Sequence, residues 1–322
     1  MAAGLSAVLP LKTLGSHYAE NLGRCDLLMA SLRAFAAPGL FRKIYVICPG
    51  DEVKRVELAA RAWQGLPLEV LGEDDLLPFF RLYPKTAGWF RQQLIKLNAA
   101  SLVETDFYLT LDPDVMLCKP AGEADLCPGG RALTTLEPRR LHPAWWQASA
   151  SLLGAEPRLD AEGMSVTPAL LAREVCLGLF DELGRRHGRD WRAALLAALP
   201  AARWTEYTLY WLAAQKLGLA ERYHVAPADA GGRCLLVPSE NVWSKNDWAA
   251  FRPERAFDPA APGYFCVVQS NTRVPPAAIA RRIAPHLRVE LRHRAGLGRE
   301  LASLAEDAWR RVFGRRGAPS RP

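Results

Sequence analysis

No run of about 18 apolar residues occurs in this 322-residue chain, so no segment reads as a bilayer-spanning helix. Met1 to Leu14 lacks a basic leader and a long apolar stretch, and is not expected to act as a signal peptide. The seven cysteines are scattered and odd in number, with no Cys-x-x-Cys pair. That pattern fits reduced, buried thiols in a cytoplasmic protein better than a disulfide framework or a zinc site. There is no Gly-x-x-x-x-Gly-Lys-Ser/Thr, no Gly-x-Ser-x-Gly and no His-Glu-x-x-His, which excludes a P-loop, a nucleophile elbow and a zincin helix. Gly296-Leu297-Gly298 follows no strand pattern, so a dinucleotide fingerprint is unsupported, and the six histidines are isolated from one another.

Net positive charge is also missing from most of the chain. Eleven arginines and four acidic residues fall between 281 and 322, so the first 280 residues carry 30 basic and 30 acidic groups and the whole net charge of +7 sits at the C-terminal end. A basic groove for nucleic acid through the main domain is therefore not expected. The end segment suits an anionic membrane surface or an acidic partner. The simpler reading is a solvated basic helix and tail, disordered from about Arg315.

Half of the residues are apolar, enough for a substantial core. Strand patterns at Ala7–Leu14, Lys43–Cys48, Leu68–Leu71 and Phe107–Leu111 alternate with helical patterns over 21–35, 51–63 and 88–103, and 73–84 reads as a loop. Such alternation predicts an α/β fold, a mostly parallel sheet flanked by helices, whose ligands bind beyond the carboxyl ends of the strands. Further helices are expected over 142–153, 191–199 and 205–217. A strand is expected over 131–136 and another over 264–269. Thr167-Pro168 reads as the start of a helix running to Gly184.

Asp112-Pro113-Asp114 closes the Phe107–Leu111 run. Residues two apart on an extended segment point the same way, so two hard oxygen ligands meet at a strand's carboxyl end, as Mg²⁺ or Mn²⁺ with substrate phosphates would require. Pro113 cannot donate to a ladder and suits the point where a strand ends. On the preceding helix, Arg91, Gln92 and Lys96 supply cationic and amide donors for a diphosphate. Glu206, between Trp204 and Tyr207, is a candidate general base or a cap for its own helix. Gln269, Ser270 and Asn271 follow an apolar strand, and Lys12 and Ser16 follow the first one, so all lie at the expected ligand edge. Trp145-Trp146 is read first as core, with an acceptor pocket as the other possibility.

These blocks resemble an uncharacterised bacterial glycosyltransferase-like family of the GT-A class. The blocks that carry the resemblance are Gly88 to Leu97, Phe107 to Asp114, Ser165 to Pro168, Trp204 to Tyr210 and Val267 to Asn271. The resemblance implies a domain over residues 1–280 with a basic extension over 281–322. It implies a Mn²⁺ or Mg²⁺ ion on Asp112 and Asp114 and a nucleotide-sugar donor, with a UDP-sugar favoured. The acceptor would be a glycan or lipid-linked hydroxyl, and a surface polysaccharide a fitting product. The arrangement is also similar to the glycogenin and lipopolysaccharide galactosyltransferase group, where Arg91 and Glu206 match donor-binding positions. The chain departs from that group in lacking His-x-x-Gly-x-x-Lys-Pro, which leaves His286 and His293 as candidates for a third metal ligand. A sugar-phosphate nucleotidyltransferase is the alternative enzyme, though Leu11 to Arg24 lacks a dense glycine-rich loop. A non-catalytic scaffold of the same fold is the third reading.

Overall fold

The computed structural model describes residues 4–15, 18–198 and 203–287. They belong to one compact unit, Met1–Arg288. Its main sheet has five strands. Four are β1 (Leu5–Pro10), β2 (Phe41–Cys48), β3 (Leu68–Gly72) and β4 (Phe107–Thr110), mutually parallel in the order β3-β2-β1-β4. The fifth, Ala169–Ala172, runs antiparallel beside β4. β1 and β4 are buried at every position, which is why they read as unbroken apolar runs rather than alternating ones. Helices α1 (Asn21–Phe35), α2 (Val53–Ala60), α3 (Glu73–Leu76) and α4 (Gly88–Asn98) fill the crossovers, and more helices follow β4. The expected mostly parallel sheet flanked by helices is thus observed.

Several local expectations change. Thr167-Pro168 starts no helix: Ala169-Leu170-Leu171-Ala172 is fully buried and completes the sheet edge, and the helix begins only at Arg173. Tertiary pairing outweighs the local start signal there. The segment after Glu73 is not a plain loop, because it holds α3 and a 3₁₀ turn at Pro78–Leu82. The strand expected over 131–136 shrinks to Ala132–Leu133, paired with His224–Val225.

Directly after Asp114 the chain enters β5 (Val115–Leu117), which belongs to a second, three-stranded sheet. β5 runs antiparallel to Gly263–Val267, which in turn pairs with Cys234–Leu236. Asp112-Pro113-Asp114 is therefore a corner between two sheets. The boundary expected at residue 280 cuts through a helix, Pro276–Leu287. Ile279, Ile283 and Leu287 on that helix are buried, and the helix packs on α1, so it belongs to the main unit. The rest of the expected basic extension, residues 288–322, lies outside the described residues, as do Ser16 and His293. Among the described residues no helix is long and apolar enough to cross a membrane.

One core residue makes stability pH-dependent. His224 is 4% exposed, its Nε2 is 2.6 Å from the Tyr210 hydroxyl, and its ring packs against Tyr210 and Trp211. Burial lowers its pKa from 6.5 to about 3. Between those values the unfolded chain binds a proton that the folded chain does not, so folding stability falls as the pH drops from 6.5 toward 3. Denaturant unfolding should show wild type losing roughly 1–2 kcal/mol between pH 6.5 and 5 that His224→Gln retains. Equal losses in both proteins would remove His224 as the cause.

Candidate active site

A cavity of about 1530 Å³ opens beyond the carboxyl ends of β1 and β4. Its wall includes Lys12, Arg91, Gln92, Lys96, Asp112, Asp114, Glu206, Gln269, Ser270 and Asn271 of the residues expected from the sequence. Leu111 N–H still donates to Val8 O at 2.8 Å, so pairing with β1 holds to the last residue before the corner and fixes where Asp112 emerges.

The floor is organised by one ammonium. The Lys96 side chain is 1% exposed, and its Nζ lies 2.9 Å from Asp112 Oδ1 and 3.0 Å from Glu206 Oε1. It also donates to the Tyr207 hydroxyl at 3.1 Å and to Thr167 Oγ1 at 3.2 Å. Burial works against this charge, but Asp112 and Glu206 outweigh it and hold the lysine pKa well above its ordinary value. Glu206 is 2% exposed; burial raises its pKa, Lys96 opposes that, and the charge of Asp112 adds to it. Thr205 caps the Glu206–Lys216 helix, its Oγ1 accepting from Thr208 N–H. Gln93 Oε1 accepts from Glu206 N–H at 2.8 Å and ties that helix to α4.

Asp114 has different partners. Its Oδ2 accepts from the Ser270 backbone N–H at 2.7 Å, and Val268 N–H donates to the Asp114 carbonyl. Burial first, then the charge of Asp112, pushes its carboxyl up to about 6; the Ser270 N–H and Arg24 pull the other way. Arg24 is buried and donates to the carbonyls of Val268 and Val274, which clamps the 268–274 segment against α1. Ser270 thus acts on the site through its backbone.

Arg91 is less available than its position implied. Glu73 takes Nε at 3.1 Å and Nη2 at 2.6 Å, and Phe80 packs 4.3 Å from the guanidinium carbon. This grip leaves Nη1 as the donor not engaged by Glu73. Lys12 is exposed just past β1, its ammonium 5.1 Å from the centre of the Tyr18 ring. Gln92 is half-buried on the wall. His286 stacks on Phe257 instead, because the helix that carries it buries its apolar face against α1. Thr167, Tyr207, Arg24 and Glu73 were not singled out as site residues from the sequence. Arg24 alone carried a signal there, an arginine set among Leu22, Cys25, Leu27 and Leu28.

The donor set suits a hard divalent ion. Asp112 Oδ1 is buried beside Lys96 without an aligned hydrogen bond, and no hydrogen bond to Asp112 Oδ2 occurs among the described residues. Three carboxylates face two cations, Lys96 and Arg24, which leaves one net negative charge when all are ionised. No group of three or more His, Cys, Asp or Glu side chains is placed to hold a metal alone among the described residues.

A family model described as "Family of unknown function (DUF6492)" matches residues 2–290. The chain belongs to that family. No curated protein matches it. Among solved structures, the family member is similar to mouse xyloside xylosyltransferase 1 in its apo form, at 11% identity and a TM-score of 0.45, over 84% of this chain and 98% of that one. It is similar to the galactosyltransferase LgtC in complex with donor and acceptor sugar analogs, at 13% identity and a TM-score of 0.44, over 88% and 95% of the two chains. It is also similar to core-mannan synthase A from Aspergillus fumigatus in a Mn/GDP form, at 10% identity and a TM-score of 0.42, over 65% and 69%.

Removing the central ammonium should be costly. Lys96→Met leaves Asp112 and Glu206 facing each other without it, and breaking a buried ion pair from one side costs about 3–5 kcal/mol. Chemical denaturation should show a loss of that size, and Lys96→Met with Glu206→Gln should recover part of it. A Lys96→Met protein as stable as wild type would show that the contact has no role in holding the fold.

Proposed function

We propose that this protein is a metal-dependent glycosyltransferase that moves a sugar from a nucleoside diphosphate donor, a UDP-sugar by preference, to a hydroxyl acceptor. The observation that carries the proposal is the meeting of Asp112, Asp114, Lys96 and Glu206 on the floor of one cavity at the strands' carboxyl ends. The resemblance of the same sequence blocks to GT-A glycosyltransferases supports it.

In this reading Asp112 and Asp114 would hold Mn²⁺ or Mg²⁺. The bound ion would offset the charge that builds on the departing nucleoside diphosphate. Lys96 sets the position of Asp112 and keeps Glu206 at a fixed distance from it. Arg91 Nη1 and Lys12 supply further positive charge at the wall, and Gln92 and Gln269 supply amide hydrogen bonds. In an inverting reaction Glu206 accepts the proton of the attacking hydroxyl. In a retaining one it orients the transferred sugar. Its burial favours a proton acceptor with a raised pKa.

The test is thermal denaturation with UDP in the presence of Mn²⁺ or EDTA. UDP with Mn²⁺ should raise the Tm of wild type, and EDTA should cancel the shift. The Asp112→Ala, Asp114→Ala double variant should keep its fold by circular dichroism and lose the Mn²⁺-dependent shift. A full shift in the double variant, or a wild-type shift indifferent to EDTA, would defeat the metal-linked reading.

A further inference from the structure

Adjacent tryptophans divide their work. Trp146 is completely buried, with the Arg139 guanidinium 4.3 Å from its ring. Gly163 lies so close that a Cβ there would stand 2.2 Å from Trp146 Cη2. Arg139 is bound in turn to Glu162 O, Pro157 O and Gln215 Oε1. This packing fixes the first turn of the Pro143–Leu153 helix. Trp145, one residue away, takes no part in the buried core. It is half-buried on the cavity wall and stacked on His142, with ring centroids 4.0 Å apart and planes 13° apart. The core-first expectation for Trp145-Trp146 holds for Trp146 and fails for Trp145.

Beside this aromatic ledge stands Glu137, also on the cavity wall. Its Oε2 accepts from Ser165 Oγ at 2.5 Å, and no Lys, Arg or His among the described residues lies within ion-pair distance of it. Ser165 is two residues before Thr167, which touches Lys96. The Ser165-Val166-Thr167 segment therefore joins the Glu137 side of the wall to the Lys96–Asp112–Glu206 floor within the same cavity.

We infer that Trp145, His142 and Glu137 form the acceptor subsite and that its occupant is a carbohydrate. A flat, rigidly held aromatic surface stacks on the apolar face of a pyranose. A carboxylate without a cation accepts hydrogen bonds from sugar hydroxyls while repelling anionic acceptors. The subsite rests on the glycosyltransferase reading for its role in transfer, but its occupancy by sugar is measured separately.

The experiment uses saturation-transfer NMR on the full chain. The probes are the methyl α- and β-glycosides of glucose, galactose, mannose and N-acetylglucosamine, with UDP and Mn²⁺ present and absent. At least one glycoside should show saturation on the ring protons of one face, weakened tenfold or more in Trp145→Ala and several-fold in Glu137→Gln. Trp145→Phe should retain binding within about threefold, since a smaller aromatic face remains. The UDP–Mn²⁺ thermal shift should be unchanged in all three variants, which also reports that each is folded. Undiminished saturation in Trp145→Ala, or no glycoside bound by wild type, overturns the inference and leaves the donor reading standing. Glycoside binding that depends on Trp145 in a protein with no UDP–Mn²⁺ response keeps the subsite and overturns the donor reading instead.

Discussion

The ammonium of Lys96 is the constraint on which the site depends. It is enclosed by four oxygens from three separate stretches of chain: Asp112 after β4, Thr167 before the antiparallel strand, and Glu206 and Tyr207 on a later helix. A lysine in the interior is tolerated only when its charge and all three of its protons are matched. The same requirement works in reverse, because Asp112 and Glu206 need a cation where water is excluded. Secondary contacts reinforce the knot: Tyr207 shares its hydroxyl with Thr110 on β4, and Gln93, on the same helix as Lys96, holds the start of the Glu206 helix.

That knot explains the electrostatic character of the cavity. Each aspartate at the corner has a cation behind it, Lys96 for Asp112 and Arg24 for Asp114. A pair of bare carboxylates so close together would repel and take up a proton. The two cations offset part of that repulsion, and the third carboxylate, Glu206, leaves a small negative excess when all three are charged. Arg91 follows the opposite logic, since Glu73 engages Nε and Nη2 and turns a free phosphate grip into a wall element that keeps Nη1 clear of Glu73.

Much of this was readable in the residues. Buried parallel strands leave unbroken apolar runs, so β1, β2 and β4 declared themselves, and the corner after β4 marked the ligand edge. Asp112, Asp114, Lys96 and Glu206 were all identifiable as polar groups beside apolar segments. The Ala169–Ala172 strand was not, because Ala-Leu-Leu-Ala after Thr-Pro satisfies a helix start equally well, and only the vacant edge of β4 decides for a strand. β5 is three residues long, too short to show a period, and exists because Gly263–Val267 lies opposite.

By itself the sequence determined the order of elements and the chemical types gathered at the strands' carboxyl ends, because burial patterns and strand polarity are local properties of the chain. Tertiary structure alone decided the pairings: that Lys96 serves Asp112 and Glu206 rather than facing outward to a phosphate, that Ser270 contributes a backbone N–H, and that Trp145 faces the cavity while Trp146 fills the core. Those outcomes depend on contacts between residues up to about 150 positions apart, such as Asp114 with Ser270. Whether a charged side chain is enclosed or solvated is settled by which distant segment closes over it, and no spacing along the chain encodes that directly.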